Sequence, residues 1–100
     1  MNDFDQLIQD IHREAREEGP AAVAELQSFD AQLSIAAALL AARRDARFSQ
    51  KQLAEASGIQ QAEISKIERG QVVPRITTMN RLLAPLGHHL AVVRDTSAAA

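Results

Sequence analysis

The chain contains no cysteine, no tryptophan and no tyrosine, and its only aromatic residues are three phenylalanines. Without cysteine, disulfides and thiolate metal sites are excluded, and such a composition is typical of proteins from a reducing cytosol. The scarcity of aromatic residues, together with abundant alanine, favours packed helices over sheets. We therefore expect an all-α protein with a cytoplasmic location.

Long apolar runs are also missing from the chain. Acidic residues begin at Asp3, so we expect no signal peptide at the amino terminus. The apolar stretch from 35 to 42 ends in Arg43 and Arg44, and no segment approaches a membrane span, so no membrane partner is expected. One hundred residues allow one small domain with a helical appendage, and dimerisation would enlarge its modest core.

Charge is distributed unevenly along the chain, although the net value is only −2. Residues 1–30 carry eight carboxylates against two arginines, a net charge of −6. Residues 31–100 carry nine lysines and arginines against five carboxylates, a net charge of +4. Because phosphate contacts supply much of a protein's affinity for DNA, the basic part is the one expected to bind nucleic acid. The acidic part must point away from DNA or bind a basic protein.

The segment FSQKQLAEASGIQQAEISKIERG, residues 48–70, holds two short helices joined by a glycine turn at helix-turn-helix spacing. Ser49 is a good N-cap and Gln52 completes an S-x-x-Q capping box, so a helix begins directly after Ser49. Gly58 supplies a left-handed end for this helix, and a second helix follows from about 61 to 68. In such motifs the second helix enters the major groove of DNA.

The outer face of the second helix is polar and cationic. Glutamine can pair with adenine, and lysine or arginine can reach guanine, so this face suits base edges. A hydrated helical hairpin would explain any single polar residue, but the cap, the turn glycine, an inward Ile59 and the apolar pair Ile64 and Ile67 all fall in register. The outer face comprises Gln60, Gln61, Ala62, Ser65, Lys66 and Arg69.

The segment SQKQLAEASGIQQAEISKIERG resembles the helix-turn-helix of the Cro and phage-repressor type, also called the Xre family. The resemblance extends from about residue 30 to 86. It implies a five-helix, Cro-like helix-turn-helix fold, with the DNA-binding domain over residues 30–87. Residues 1–29 are expected to form an acidic helical extension before it. It also implies that double-stranded operator DNA is a partner.

The same resemblance implies a role for individual residues in DNA binding. The residues that would face the bases are Gln61, Ala62 and Lys66. The DNA backbone would be contacted by Ser49, Gln50, Lys51, Gln60, Ser65 and Arg69. Gln50 would also support the recognition helix. Arg43 and Glu68 occupy the places of an arginine–glutamate pair that is partly buried and structural in the family.

The chain departs from the pattern of the family at two positions. Gln60 stands where Ser or Thr is frequent, so capping of the recognition helix is weaker or comes from elsewhere. Ala62 stands where relatives often have a polar residue that contacts a base edge. Ala62 would therefore either touch a thymine methyl group or contribute nothing to base recognition.

The remaining chain is predicted to be helical except at its end. Helices are expected over residues 4–17, 21–27, 31–46 and 75–84. Whether the second and third of these merge, or break at Ser28 or Asp30, stays open. The last helix is expected to point four side chains inward, namely Ile76, Met79, Leu82 and Leu83.

Residues 88–95 are predicted to form a β-strand, because HHLAVVR is rich in Val and Leu. A lone strand has no partner in its own chain, so antiparallel pairing across a homodimer is expected, with Leu90 and Val92 at the interface. Such a dimer would place two recognition helices about 34 Å apart. Residues 96–100 are expected to be a frayed tail.

The acidic extension carries an amphipathic helix whose apolar face is formed by Phe4, Leu7, Ile8 and Ile11. With the late strand, this organisation resembles the antitoxins of bacterial toxin–antitoxin operons, the HigA group in particular. The resemblance implies autorepression and neutralisation of a small basic toxin, an mRNA-cleaving RNase of the RelE or HigB type, bound by this face. Two alternatives stay open, in which the face packs on the chain's own core or the protein is a plain Xre-family repressor without a toxin.

After the antitoxin and the plain repressor, the third hypothesis is an enzyme or a metal protein. The arrangement of the titratable residues argues against this class. His88 and His89 are adjacent, so on a strand they face opposite sides and cannot chelate one metal. The carboxylates of the first helix have no accompanying nucleophile, and a hydrated helix face explains them. We therefore expect no catalytic residue, metal site, cofactor or small-molecule substrate.

Overall fold

The computed structural model describes residues 3–95, which form five α-helices and one short 3-10 helix. The prediction of an all-helical protein is confirmed for this range. The chain divides into two compact units, one up to Ile35 and one from Ala36 onward. The helices are α1 Asp3–Glu18, α2 Pro20–Asp45, α3 Gln50–Ser57, α4 Gln61–Glu68, α5 Ile76–Leu83 and the 3-10 helix Ala84–Leu86.

Helix α2 runs without interruption through the second and third predicted helices. Pro20 occupies its first position, where a missing N–H is tolerated. Ser28 does not break the helix, because its Oγ donates a hydrogen bond to the carbonyl oxygen of Ala24 at 3.1 Å. The domain boundary predicted between residues 29 and 30 falls inside this helix. Although α2 has 26 residues, none of the helices within residues 3–95 is apolar enough over such a length to cross a membrane.

The unit from Ala36 onward holds all the buried apolar side chains of residues 3–95. Helix α3 packs against α4, α5 and the 3-10 helix, so these elements share one core. Burying a large apolar side chain contributes roughly 1.5–3 kcal/mol relative to leaving it exposed. The largest fully buried side chains are Leu39, Leu53, Ile64, Ile67 and Leu82.

Glycines end both helices of the helix-turn-helix, as the sequence predicts. Gly58 has φ of 75°, and its N–H donates to the carbonyl oxygen of Ala54 at 2.9 Å. Gly70 has φ of 70°, and the N–H of Gln71 behind it donates to the carbonyl oxygen of Lys66 at 2.9 Å. This left-handed conformation suits glycine because no Cβ is present to clash.

Helix α5 follows the prediction except at its first residue. Met79, Leu82 and Leu83 are buried, but Ile76 is 77% exposed. The prediction of an inward Ile76 is wrong, because this residue begins the helix at a point where no other element of residues 3–95 covers its side chain.

The predicted strand is absent from the single chain. Residues 88–95 have no regular secondary structure, and no β-strand occurs within residues 3–95. A strand forms only when a neighbouring strand takes up its backbone hydrogen bonds, and the described range supplies none. The predicted dimer residues face solvent, with Leu90 43% exposed and Val92 fully exposed. The predicted tail, residues 96–100, lies outside the described residues.

Candidate nucleic-acid interface

Helix α3 begins with the predicted capping box. The Oγ of Ser49 accepts a hydrogen bond from the N–H of Gln52 at 3.0 Å. The Oε1 of Gln52 accepts one from the N–H of Ser49 at 2.8 Å. The box satisfies two backbone donors and defines the first turn of the helix. Three candidates for DNA-backbone contacts sit on this turn, with Ser49 and Lys51 exposed and Gln50 partly exposed.

No side chain at the N-cap position caps the start of helix α4. Gln60 holds the N-cap position with an extended backbone, and its side chain makes no capping hydrogen bond. Only its carbonyl oxygen starts the helix, accepting from the N–H groups of Glu63 at 3.0 Å and Ile64 at 3.1 Å. The exposed amide of Gln60 therefore stays available for another molecule.

The outer face of α4 is open to solvent, while its inner face is part of the core. Gln61, Ala62 and Lys66 are exposed, whereas Ile64 and Ile67 are buried. Ala62 and Lys66 are four residues apart and share one side of the helix. The structure thus brings the three candidate base-reading residues together on one accessible surface.

The flank of this surface also carries backbone candidates. Ser65 is partly exposed and Arg69 is exposed. The Nε of Arg69 donates to the carbonyl oxygen of Ser65 at 3.3 Å, so the guanidinium lies along the last turn of α4. A groove of about 570 Å³ follows the other flank, with Lys66 and Arg75 among its lining residues. Cations on both flanks suit a polyanionic ligand.

A hydrogen-bonded network fixes the end of α4 against α2 and α3. The Nε of Arg43 donates to Oε2 of Glu68 at 2.7 Å, and its Nη2 donates to Oε1 at 3.0 Å. Gln50 Nε2 donates to the same Oε1 at 3.0 Å, and Arg43 Nη1 donates to the carbonyl oxygen of Phe48 at 2.8 Å. The exposed fractions of the two charged side chains are 12% for Arg43 and 4% for Glu68. This bidentate, shielded pair limits how α4 can tilt.

Burial opposes the negative charge of Glu68, but its partners outweigh that effect. Burial alone would raise the pKa of the carboxyl, whereas hydrogen bonds from Arg43 and Gln50 and the charges of Arg43 and Arg44 lower it, and the pKa lies below its usual value. The hydrogen bond to Glu68 raises the pKa of the Arg43 guanidinium against the opposing effect of burial. Both groups are therefore charged at neutral pH.

Arg81 of α5 supports the motif in a way that no sequence pattern indicated. Its Nη2 donates to the carbonyl oxygen of Ser57 at 3.1 Å, across 24 residues of chain. A Cβ placed on Gly58 would lie 2.6 Å from the same nitrogen. The Oγ of Ser57 accepts from the N–H of buried Ile59 at 3.1 Å. These contacts hold the turn that leads into α4.

The amino-terminal unit presents an exposed apolar surface. No side chain of α1 is buried within the range Asp3–Glu18. The four residues predicted to bind a toxin are all exposed, at 64% for Phe4, 54% for Leu7, 39% for Ile8 and 40% for Ile11. They form an apolar face on a strongly acidic segment.

Within the amino-terminal unit, a histidine of α1 lies against a carboxylate of α2. His12 Nε2 lies 3.1 Å from Oδ2 of Asp30. Beside this pair is a cavity of about 340 Å³ whose lining includes Ala15, Val23 and Leu26. No three His, Asp or Glu side chains of residues 3–95 converge as metal ligands.

Sequence comparisons connect this geometry with known proteins. The helix-turn-helix family matches residues 39–92, more than half of the chain, and the match includes α3, α4 and α5. A Haemophilus influenzae protein named "Uncharacterized HTH-type transcriptional regulator" is 38% identical over 69 residues, which cover 69% of this chain and 70% of that protein. No solved structure matches the chain significantly.

Proposed function

The chain belongs to the helix-turn-helix family, and we propose that it reads a specific double-stranded operator through α4 and regulates transcription. One observation carries the proposal: Gln61, Ala62 and Lys66 are exposed together on a helix whose last turn is anchored by the buried carboxylate of Glu68. The name of the Haemophilus influenzae relative supports a regulatory role.

Contacts with the DNA backbone would place α4 in its groove. The amide, hydroxyl and cationic groups available for them flank the reading face on α3 and α4. Such contacts set register and orientation without reading sequence. We assign them to Ser49, Gln50, Lys51, Gln60, Ser65 and Arg69.

A homodimer is part of this proposal. The segment 88–95 leaves Leu90, Val92 and Val93 exposed at 43%, 103% and 80%. A second copy pairing with this segment would supply the missing backbone partners and cover these side chains. Substituting Val92 with Asp would then reduce the mass in solution from dimer to monomer, and an unchanged mass would remove the idea.

The acidic unit favours a second activity, that of an antitoxin repressing its own operon. Its apolar face is exposed, and residues 1–30 have a net charge of −6, which complements a basic protein. A small basic mRNA-cleaving toxin of the RelE or HigB type fits this chemistry. A plain Xre-family repressor without a toxin remains the alternative, and it fits the helix-turn-helix unit equally well.

The DNA-binding proposal is tested by selecting duplexes from a randomised pool with the intact protein. Replacing Gln61 or Lys66 with Ala should cost about 1–3 kcal/mol on the selected duplex and relax base preference. Replacing Lys51 with Ala is the matched control, since it should weaken binding to selected and scrambled duplexes alike. Failure of the intact protein to enrich any sequence would contradict the proposal.

The antitoxin proposal is tested by co-expressing the chain with the product of any neighbouring gene that encodes a small basic protein. Leu7→Asp should break the complex, because it places a charge in the apolar face. Gln9→Asp adds the same charge to an exposed position of α1 outside that face and should leave the complex intact. A neighbouring product that neither co-purifies nor inhibits growth would favour the plain repressor.

A further inference from the structure

Arg47 lies between α2 and α3 in a conformation that normally suits glycine. Its φ is 60°, and within residues 3–95 it is the one non-glycine residue with positive φ. Its N–H donates to the carbonyl oxygen of Arg44 at 3.0 Å, and the N–H of Phe48 donates to that of Arg43 at 3.1 Å. A side chain other than glycine is disfavoured in this left-handed turn.

The two backbone hydrogen bonds of the turn accommodate this conformation, but neither of them involves the Arg47 side chain. The Arg47 side chain is exposed, and its guanidinium makes no hydrogen bond or ion pair with residues 3–95. The contrast with Arg43 and Arg81 is direct, because both of those guanidinium groups bond to their own chain. Residues in this backbone region cluster at ligand-binding sites, so a left-handed arginine whose guanidinium has no partner within residues 3–95 motivates a binding hypothesis.

The turn that carries Arg47 leads directly into α3, whose first residues are candidates for contacts with the DNA backbone. Two residues later Ser49 caps α3, and Gln50 is its first helical residue. The tight turn also restricts the backbone from which the side chain projects. We propose that Arg47 binds a phosphate of the DNA backbone beside the recognition helix. This inference rests on the proposed operator binding and adds a residue to it.

An arginine suits this task because its planar guanidinium can donate two parallel hydrogen bonds to one phosphate. A phosphate contact carries no base information, so it would strengthen binding to every duplex. It would also release counterions on binding and thereby steepen the dependence of affinity on salt. These two properties separate a phosphate contact from base reading by Gln61 or Lys66.

The test compares Arg47→Gly with the wild type on a duplex selected from a random pool and on a scrambled duplex of equal length. Glycine removes both the guanidinium and the backbone strain, so the melting temperature should stay the same or rise. Affinity should fall roughly fivefold on both duplexes. The slope of log affinity against log salt should become shallower by about 1.

Two further variants sharpen the result. Arg47→Lys keeps the charge and should retain most of the salt slope. Arg13→Gln removes one positive charge from exposed α1, and its unchanged DNA affinity would exclude a general effect of net charge. Wild-type affinity and slope in Arg47→Gly, or a lower melting temperature, would overturn the assignment. A wild type that does not prefer the selected duplex would instead overturn the operator proposal.

Discussion

The two units of the chain differ in where their apolar side chains lie. From Ala36 to Asp95, eleven apolar side chains are buried, and several of them are fully enclosed. Up to Ile35, none of the described side chains is buried, and Phe4 and Leu7 are more than half exposed. The first arrangement stabilises a fold from within, whereas the second leaves apolar surface for another molecule.

The difference in burial coincides with the difference in charge. The unit with the core contains the basic part of the sequence, and the unit in which no described side chain is buried contains most of the acidic residues. A rigid helix-turn-helix suits base reading, because a fixed backbone would hold the proposed recognition helix α4 in register with a duplex. An acidic surface that is poorly buried suits recognition of a basic partner instead.

The largest effect is expected when one leucine in each unit is replaced with alanine. Leu53→Ala should lower the free energy of unfolding by about 2–5 kcal/mol, because it opens a cavity in the core. Leu7→Ala should change it by less than about 0.5 kcal/mol, because that side chain is 54% exposed. Urea unfolding measures both. Similar losses in the two variants would show that the amino-terminal unit has a core of its own.

The next effect concerns carboxylates that pair with arginine. Glu68→Gln should cost up to about 3 kcal/mol, because it leaves the shielded Arg43 cation without a counterion. The matched change Asp10→Asn breaks an exposed pair with Arg13 at 3.1 Å and should cost at most about 0.5 kcal/mol. Equal costs would contradict a structural role for the Arg43–Glu68 pair.

The same pair predicts a pH dependence. Folding lowers the pKa of the Glu68 carboxyl. The ionised carboxylate therefore stabilises the folded state at any pH above the pKa that Glu68 has in the unfolded chain. This stabilisation is lost as the pH falls through the lower pKa of the folded state. Between about pH 5 and about pH 3, the wild type should therefore lose more stability than Glu68→Gln. Parallel pH profiles for the two proteins would be inconsistent with the lowered pKa.

A smaller effect is expected from glycines with positive φ. Gly58→Ala should cost about 2 kcal/mol, because the left-handed backbone disfavours a Cβ and the new atom meets Arg81. Gly87→Ala, at nearly the same φ of 76° but with nothing within 4 Å of its Cβ, should cost only about 1 kcal/mol. Thermal unfolding of both variants measures the difference. A larger loss at Gly87 would show that the contact with Arg81 adds nothing to the cost.

The smallest effect is expected from two serines. Ser49→Ala removes the cap of α3 and should cost about 1 kcal/mol. Ser28→Ala, at an exposed position of α2, should be neutral or slightly stabilising, because alanine is the better helix former. Thermal unfolding distinguishes them, and a destabilised Ser28→Ala would indicate a cap within α2 where the structure has none.

Structural features that depend on contacts within one helical turn could be predicted from the sequence alone. The Ser49 cap, the left-handed Gly58 and Gly70, and the bounds of α3 and α4 all depend on neighbours a few positions away. The exposed face of α4 also followed from local spacing, because Ile64 and Ile67 mark its buried side. These features are determined locally, since each involves backbone groups of the same turn.

Features that join distant parts of the chain were decided by tertiary structure. The bond from Arg81 to Ser57 spans 24 residues, and Gln50 turns its amide to Glu68 across 18. The exposure of Ile76 depends on which elements reach the start of α5 rather than on its own spacing. The absence of a strand at 88–95 has the same cause, because sequence sets a tendency to extend whereas a ladder needs a second strand. Helix packing decides which distant groups meet, and one helix alone does not contain that information.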